Sequence, residues 1–376
     1  MGTRFEMVLA GADESHLRAA GEEAIAEIEL WHRRLNYFAP DSLVRRINTL
    51  ASSHPVAIDP ETFALLTRCV ELHDATGGAF DITIAPLMRT WGFRPLAPGS
   101  AGGLNERVRD SRDHPPADFG ELSRVEPGAN GRAFGTEHVQ LDAASRAIRF
   151  THPGIEIDLG GIAKGFALDR AATLLRDNGI TCALLHGGTS SVVAIGAPPG
   201  SEGWMVRVPG AMGKPGLPVD ASDLPDQSTG KRGACPWHPE RGIDVSLRDE
   251  SLSISAPHGR TVEHNGETLG HIIDPRTGAT ARGADLAAAV CDSATDAEAW
   301  STALLVLNDR PANLSDEIAS ILYDASQGWR IGGTGLQARA TRAQPTMPAN
   351  HTELELRATT DPAGESAPRP TMEACP

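Results

Sequence analysis

The sequence has little positive charge. Its 34 Lys and Arg residues stand against 49 Asp and Glu residues, which gives a formal net charge of −15 over 376 residues. Nucleic-acid grooves need clustered Lys and Arg, so this balance argues against a nucleic-acid partner and against attraction to an anionic membrane surface. The sequence also has no run of about 18 apolar residues, the length that a membrane-spanning helix needs. We therefore expect no transmembrane segment.

Cysteines are few and scattered, and no two of them form a C-x-x-C pair. Such a distribution is typical of reduced thiols rather than of a disulfide framework or a zinc site. The N-terminus likewise has no basic stretch followed by an apolar one, the pattern of an export signal, because residues 1–9 predict a strand instead. We expect a cytoplasmic protein, or an exported or periplasmic one if the natural chain starts earlier. The five cysteines are Cys69, Cys182, Cys235, Cys291 and Cys375.

Periodic apolar residues predict several long helices. One of them has clear boundaries, because Asp59 suits an N-cap, Pro60 the first helical position, and Gly77 a stop. We expect its buried face to contain Phe63, Leu66, Cys69, Val70 and Leu72. The predicted helices cover residues 15–36, 60–76, 164–178 and 295–307.

Strand patterns alternate irregularly with these helices, so the fold class is α+β rather than a doubly wound sheet. Residues 95–131 and 209–240 are rich in Pro, Gly and polar residues and are predicted to be long surface loops. One domain is expected to span residues 1–335, followed by a disordered tail over residues 336–376. Strands are predicted at residues 139–141, 147–150, 155–157, 182–185, 191–195, 251–255, 286–291 and 318–322.

The most informative segment is residues 158–165, which read DLGGIAKG between a predicted strand and a predicted helix. Adjacent glycines let a backbone approach a ligand closely, and the start of the helix offers N–H groups to an anion. Asp158 and Lys164 add one charge of each sign. The spacing G-G-x-x-x-G differs from the G-x-G-x-x-G of dinucleotide-binding folds. The pattern therefore indicates a phosphate site of another kind, or only a tight turn with two solvated charges.

A second unusual segment, residues 77–83, reads GGAFDIT. Its glycines suit a helix end followed by a buried strand, but that interpretation leaves the charge of Asp81 between Phe80 and Ile82 unexplained. A carboxylate in apolar surroundings needs a partner, such as a backbone amide, an arginine or a ligand hydroxyl. Asp81 is thus a candidate binding residue.

A third segment, residues 271–278, reads HIIDPRTG and places an imidazole three residues before a carboxylate. A surface histidine before a proline-containing turn is unremarkable by itself. Histidine is nevertheless the side chain best suited to act as a base near neutral pH. His271 is therefore a candidate general base, with Asp274 to orient it or complete the site.

The fourth feature is a pair of oxygen-bearing side chains, Glu298 and Thr302, four residues apart on a predicted helix. This spacing places them on one helix face. Carboxylate and hydroxyl oxygens, joined by a main-chain carbonyl, make a hard-ligand site suited to Mg²⁺. A solvated glutamate beside a helix hydroxyl is the plainer interpretation.

These four segments, in this order, resemble the FAD:protein FMN transferase family (the ApbE family), whose members move FMN from FAD onto a threonine of another protein. The resemblance covers about residues 1–330 apart from the two loops. It implies an α+β fold with mixed, largely antiparallel sheets, FAD as substrate and Mg²⁺ as cofactor. It also implies a flavin-acceptor partner with a Ser/Thr-Gly-Ala-Ser/Thr type of motif.

The resemblance further implies a role for each candidate residue. His271 takes the proton and Asp274 supports it. Magnesium is held by the Gly161 carbonyl, Glu298 and Thr302. FAD is contacted by Ala79, Phe80, Asp81, Asp158, Lys164 and Ile272.

One departure from the family concerns the metal. The family helix normally reads Ala-Asp-x-x-x-Thr, whereas residues 297–302 supply Glu298 in place of the aspartate. The extra methylene moves the carboxylate by roughly 1.5 Å. This departure leaves open a non-catalytic flavin binder with an impaired metal site. An FAD pyrophosphatase that yields FMN and AMP also stays open, because the same site could use water as the nucleophile. Self-modification is a further alternative, because residues 277–280 read TGAT.

Overall fold

The structure is a computed structural model that describes residues 3–94, 134–210, 242–257, 261–264, 267–334 and 352–359. The predicted loop over residues 95–131 lies outside the described residues, as do residues 211–240 of the second predicted loop. Among the described residues, helices and strands are mixed without a regular alternation. The predicted α+β class is confirmed.

The helices follow the predicted pattern closely. The apolar face of α1 is buried from Ala24 to Leu35. At the start of α3, the Asp59 side chain accepts a hydrogen bond from the Thr62 N–H at 3.0 Å, as an N-cap should. On α3, three of the five residues predicted on its buried face are buried, whereas Phe63 and Val70 are half-buried. The helices are α1 (Glu14–Leu35), α2 (Leu43–Leu50), α3 (Pro60–Ala75), α4 (Ala85–Thr90), α5 (Ala163–Asp177) and α6 (Ala294–Leu307).

An antiparallel sheet of eight strands forms the centre, in the order β14-β13-β12-β9-β6-β5-β1-β15. A three-stranded sheet (β2-β4-β3) and the hairpins β7–β8 and β10–β11 lie outside it. The strands are β1 (Arg4–Gly11), β2 (Val56–Ala57), β3 (Val139–Asp142), β4 (Ala147–Phe150), β5 (Ala183–Gly187), β6 (Ser191–Ile195), β7 (Trp204–Val208), β8 (Ile243–Leu247), β9 (Ser251–Ser255), β10 (Thr261–His264), β11 (Glu267–Gly270), β12 (Leu286–Cys291), β13 (Ala319–Asp324), β14 (Gly328–Gly332) and β15 (Thr352–Thr359).

Both faces of the central sheet are covered. Along β12, Ala287 and Ala289 join a core shared with α1, α5 and α6, whereas Ala288 and Val290 join a second core shared with the β7–β8 hairpin. This alternation follows from the two-residue period of a strand. Because both faces are buried, β12 is apolar along its length, and α6 is fixed against it.

One strand prediction is wrong, and part of the predicted tail forms a strand. Residues 155–157 are not a strand: the Ile157 N–H and C=O bond the Asn48 side chain at 2.8 and 2.9 Å, and the Asp158 N–H donates to the Ile82 C=O at 2.7 Å. The backbone hydrogen-bonding groups of this extended segment are satisfied by the Asn48 side chain and by the loop at Ile82, not by a neighbouring strand. The tail predicted to be disordered contains β15, which pairs with β1 from Arg4↔Thr359 to Gly11↔Thr352. Its other residues lie outside the described part.

Within the described part of the chain, no helix is both long and apolar enough to span a membrane.

Candidate active site

The turn before α5 is organised by Asp158, which is 6% exposed. One carboxylate oxygen accepts from the Gly160 N–H at 2.9 Å, and the other accepts from the Arg94 guanidinium at 2.5 Å. Asp158 was predicted to contact FAD. In the structure both of its oxygens have partners within the protein, so it fixes the shape of the glycine turn.

Arg94 is the residue of this site that the sequence did not reveal. It follows α4, and its guanidinium lies over the Phe38 ring at 4.8 Å and the Tyr37 ring at 5.6 Å from the centroids. A Cβ on Gly160 would lie 3.4 Å from its terminal nitrogen. The same Cβ would lie closer, at 3.0 Å, to one oxygen of the Asp158 carboxylate, so Gly160 lies directly against this ion pair. The aromatic pair at residues 37–38 was the only signal that could have pointed to this cation.

The other end of the turn is tied to α6. The Lys164 ammonium donates to one carboxylate oxygen of Glu298, and the Gly165 N–H donates to the other at 2.6 Å. Glu298 is 3% exposed. Burial lowers the pKa of Lys164 to about 8. The predicted phosphate-binding lysine and the predicted metal-binding glutamate thus form an internal ion pair.

Gly165 explains why the third glycine of the motif is needed. A Cβ at this position would lie 2.2 Å from the Ala294 carbonyl oxygen, far inside contact distance. Because the clash would be with backbone, it could not be relieved by a side-chain movement. The first turns of α5 and α6 therefore touch through a glycine, and this contact brings Glu298 to the glycine turn.

The segment of residues 77–83 packs against the same turn. A Cβ on Gly161 would lie 3.8 Å from the Phe80 ring, and both Ala79 and Phe80 are buried. The Asp81 carboxylate accepts from the backbone N–H and the hydroxyl of both Thr83 and Thr136, at 2.6 to 3.2 Å. The unexplained charge of Asp81 is therefore satisfied by backbone amides and hydroxyls of the protein.

The turn of residues 274–278 is held by its own aspartate. Asp274 accepts from the Arg276 N–H, Nε and terminal nitrogen, each at 2.9 Å. The Gly278 carbonyl accepts from the Trp91 indole N–H at 2.8 Å. Arg276 also reaches the helix end at Gly78, where a Cβ would lie 3.6 Å from its Cγ. Asp274 thus shapes the turn that follows the candidate base, His271, along the chain.

His271 is half-buried and faces the aromatic residue before Arg94. Its ring lies edge-on to Phe93, with 6.4 Å between the centroids. The next residue, Ile272, is also half-buried, and its carbonyl accepts from the Ala281 N–H at 2.8 Å. Thr280 is 5% exposed and pairs with Ile273, so its burial argues against self-modification there.

The predicted magnesium ligands are only partly arranged for a metal. Glu298 and Thr302 lie one turn apart on α6, but the Thr302 hydroxyl donates to the Glu298 carbonyl and lies 3.2 Å from the Ser255 hydroxyl. A cation at the Glu298 carboxylate would have to displace Lys164. As arranged, these residues do not fit Mg²⁺. Within the described residues, no three His, Cys, Asp or Glu side chains gather as a metal cluster would require.

The contacts join all four sequence segments. The Phe80 ring lies beside Gly161 of the glycine turn, and Arg94 and Glu298 form ion pairs at the two ends of that turn. The ring of Phe93, the residue before Arg94, lies edge-on to His271. Residues separated by more than 100 positions are thus collected around one turn. The arrangement offers backbone amides, two cations and a histidine, the groups that an anionic phosphate and a hydroxyl nucleophile need.

Curated proteins of known activity resemble this chain over most of its length. The FAD:protein FMN transferase of Klebsiella pneumoniae (strain 342) is 24% identical over 315 residues, which cover 83% of this chain and 78% of that protein. The FAD:protein FMN transferase of Treponema pallidum (strain Nichols) is 28% identical over 296 residues, with 78% and 72% covered.

Solved structures show the same fold. The ApbE protein of Thermotoga maritima gives a TM-score of 0.66 at 21% identity and covers 89% of this chain and 96% of that one. The flavin transferase ApbE of Vibrio cholerae gives 0.65 at 19% identity, with 90% and 96% covered. The ApbE-like fold expected from the sequence is confirmed. The ApbE family model matches residues 1–317, and the chain therefore belongs to the ApbE family.

Proposed function

We propose that this protein is an enzyme that transfers FMN from FAD to a threonine hydroxyl of a partner protein and releases AMP. The observation that carries the proposal is the packing of three segments at the glycine turn of residues 158–165, with the fourth segment joined to them through His271 beside Phe93 and Arg276 beside Gly78. The activity named for the Klebsiella and Treponema relatives supports it. The expected acceptor carries a Ser/Thr-Gly-Ala-Ser/Thr motif.

The proposed reaction exchanges one phosphorus–oxygen bond for another. The acceptor hydroxyl oxygen attacks the phosphorus on the FMN side of the pyrophosphate, and a new oxygen–phosphorus bond forms. The bond from that phosphorus to the bridging oxygen breaks, and AMP leaves with the bridging oxygen. The hydroxyl proton passes to His271, which acts as the general base. The products are AMP and a protein that carries FMN through a phosphoester.

The residues around the turn have distinct proposed roles. The Gly161 amide receives a pyrophosphate oxygen, since helix starts and adjacent glycines favour anions, while the Gly160 N–H stays bonded to Asp158. Lys164 and Arg94 lie at the two ends of this turn, and the ion pair that each forms with a carboxylate of the protein holds the turn in shape. Phe80, Ala79 and Ile272 contact the flavin nucleotide. Positioning and charge neutralisation supply most of the acceleration in phosphoryl transfer.

Magnesium, which the resemblance implies, stays a prediction beside this proposal. A bound Mg²⁺ would neutralise charge on the pyrophosphate. The carboxylate predicted to hold it, Glu298, is engaged by Lys164 and Gly165, so no step above passes through a metal. Comparing transfer in the presence of Mg²⁺ and of EDTA decides this point.

The test of the proposed function is incubation of the purified protein with FAD and a threonine-containing acceptor peptide, with Mg²⁺ or EDTA, while AMP and peptide mass are followed. AMP together with a peptide mass gain of one FMN establishes the transferase. AMP without a mass gain on any acceptor, at the same rate with and without peptide, would favour the pyrophosphatase. FAD binding without AMP would favour the non-catalytic flavin binder.

A further inference from the structure

Helix α5 has no cap of its own. Its N-cap position is Ile162, whose side chain makes no capping hydrogen bond. The carboxylate that accepts from the Gly165 N–H in the first turn is supplied by Glu298, 133 positions further along the chain. A side chain from a neighbouring helix thus does the work that Ser, Thr, Asp or Asn usually does locally.

The reverse contact also exists. Asp169 of α5 accepts from the N–H groups of Ala294 and Thr295, at 2.8 and 2.9 Å, and from the hydroxyls of Ser293 and Thr295. These residues form the start of α6. Each helix therefore places a carboxylate at the N-terminus of the other.

The geometry of this exchange is nearly symmetric. Gly165 and Ala294 touch where the two first turns meet, and the capping carboxylates, Asp169 and Glu298, follow them by four residues each. One helical turn carries each side chain across the contact to the partner helix. The close approach at Gly165 is what lets both carboxylates reach.

We infer that Glu298 is a positioning residue that caps α5 and holds Lys164, rather than a metal ligand. An aspartate at this position would fall short of the Gly165 N–H by roughly one C–C bond, about 1.5 Å. The carboxylate is buried, and both its oxygens are used. The inference deepens the proposed function, because the turn that Glu298 holds is the one proposed to receive the pyrophosphate.

Hydrogen exchange followed by mass spectrometry reads the cap directly in the full chain. Glu298→Asp is expected to speed exchange in a peptide covering residues 158–168 by roughly fivefold, the factor that corresponds to loss of a typical helix cap. Glu298→Gln keeps an oxygen for the Gly165 N–H but loses the counter-charge of Lys164. It is therefore expected to lower the free energy of unfolding, while exchange in that peptide stays slower than in Glu298→Asp. As a matched control, Asp169→Asn should affect residues 293–298 and leave residues 158–168 unchanged.

Binding measurements separate the cap from a metal ligand. FAD affinity is measured by flavin fluorescence with Mg²⁺ and with EDTA. Because Glu298 is inferred not to bind the metal, Glu298→Gln is expected to show the same effect of Mg²⁺ on FAD affinity as wild type. Its amide oxygen can still accept from the Gly165 N–H. Glu298→Asp is expected to raise the KM for FAD several-fold more than it lowers kcat, with no recovery on added Mg²⁺.

Two results would overturn the inference. One is unchanged exchange over residues 158–168 in Glu298→Asp. The other is a Mg²⁺ effect on FAD affinity that wild type shows and Glu298→Gln loses. If wild type binds no FAD at all, the proposed function fails, yet the exchange experiment still decides whether Glu298 caps α5.

Discussion

Two buried ion pairs hold the turn of residues 158–165 at its opposite ends, and the turn supplies the carboxylate of one pair and the cation of the other. At the first end, the turn supplies the carboxylate of Asp158, and Arg94 arrives from the end of α4. At the second end, the turn supplies the cation of Lys164, and Glu298 arrives from α6. In each pair the carboxylate also accepts a backbone N–H, from Gly160 or from Gly165.

The difference lies in what surrounds the cation. Arg94 lies over the rings of Phe38 and Tyr37, so two aromatic faces and the Asp158 carboxylate stabilise its positive charge. Lys164 is held chiefly by Glu298, and burial lowers its pKa. The comparison teaches that carboxylates at a ligand-binding turn can bond to cations and N–H groups of the protein itself. The shape of the turn is then fixed before an anion binds.

The largest expected effect comes from breaking the first pair. Asp158→Asn leaves the Arg94 guanidinium buried without its counter-charge, and we expect a loss of roughly 3 kcal/mol in the free energy of unfolding, as for other broken buried pairs. Urea unfolding of both proteins gives this difference. An unchanged midpoint would contradict the view that this pair organises the turn.

A smaller effect is expected at the helix contact that supports the second pair. Gly165→Ala places a methyl group 2.2 Å from the Ala294 carbonyl oxygen, and overpacking of this kind costs about 2 kcal/mol. Gly161→Ala is the matched control, because its Cβ meets only Phe80 at 3.8 Å. We expect Gly161→Ala to keep its thermal midpoint and to bind FAD more weakly. A Gly165→Ala protein as stable as wild type would contradict the contact.

The smallest effect concerns the aromatic support of Arg94. Phe38→Ala removes one of the two rings under the guanidinium. We expect a loss of about 0.5–1 kcal/mol in the free energy of unfolding, the usual contribution of a cation–π contact at an exposed site. Leu30→Ala is a suitable control, since Leu30 is also an exposed apolar side chain, at 37% against 41% for Phe38. Thermal unfolding should distinguish the two variants. Equal losses would show that Arg94 gains nothing from the ring.

The fold was most predictable where its signals are local. The cap of Asp59 and the first-turn Pro60 mark the start of α3 within a few residues, and apolar periodicity gives α1. Residues 155–157 have the same apolar character as a strand, but the Ile157 backbone bonds the Asn48 side chain, and the N–H of the next residue, Asp158, bonds Ile82. Nothing in a local pattern distinguishes a sheet neighbour from a side chain in another segment, so this strand prediction was wrong.

The site divides in the same way. The four segments could be found from the sequence, because glycine pairs and unusual charges are visible in a single stretch. Their partners could not: Arg94 follows an ordinary tryptophan–glycine–phenylalanine stretch, and Asp169 is an unremarkable helix residue. Glu298 was predicted as a metal ligand from its spacing to Thr302 and from the family resemblance, and its two partners in the structure lie 133 and 134 positions away, out of reach of a local pattern. The roles of the site residues toward FAD stay predictions.

The measurement that tests the central claim most directly is FAD affinity and FMN transfer in His271→Ala, with His264→Ala as control. His264 is a histidine of the neighbouring hairpin, 6.1 Å from the Trp91 ring. We expect His271→Ala to bind FAD nearly as tightly as wild type and to transfer FMN at least about 100-fold more slowly, the typical contribution of a general base. Transfer at the wild-type rate, or a parallel loss of FAD binding, would contradict the account.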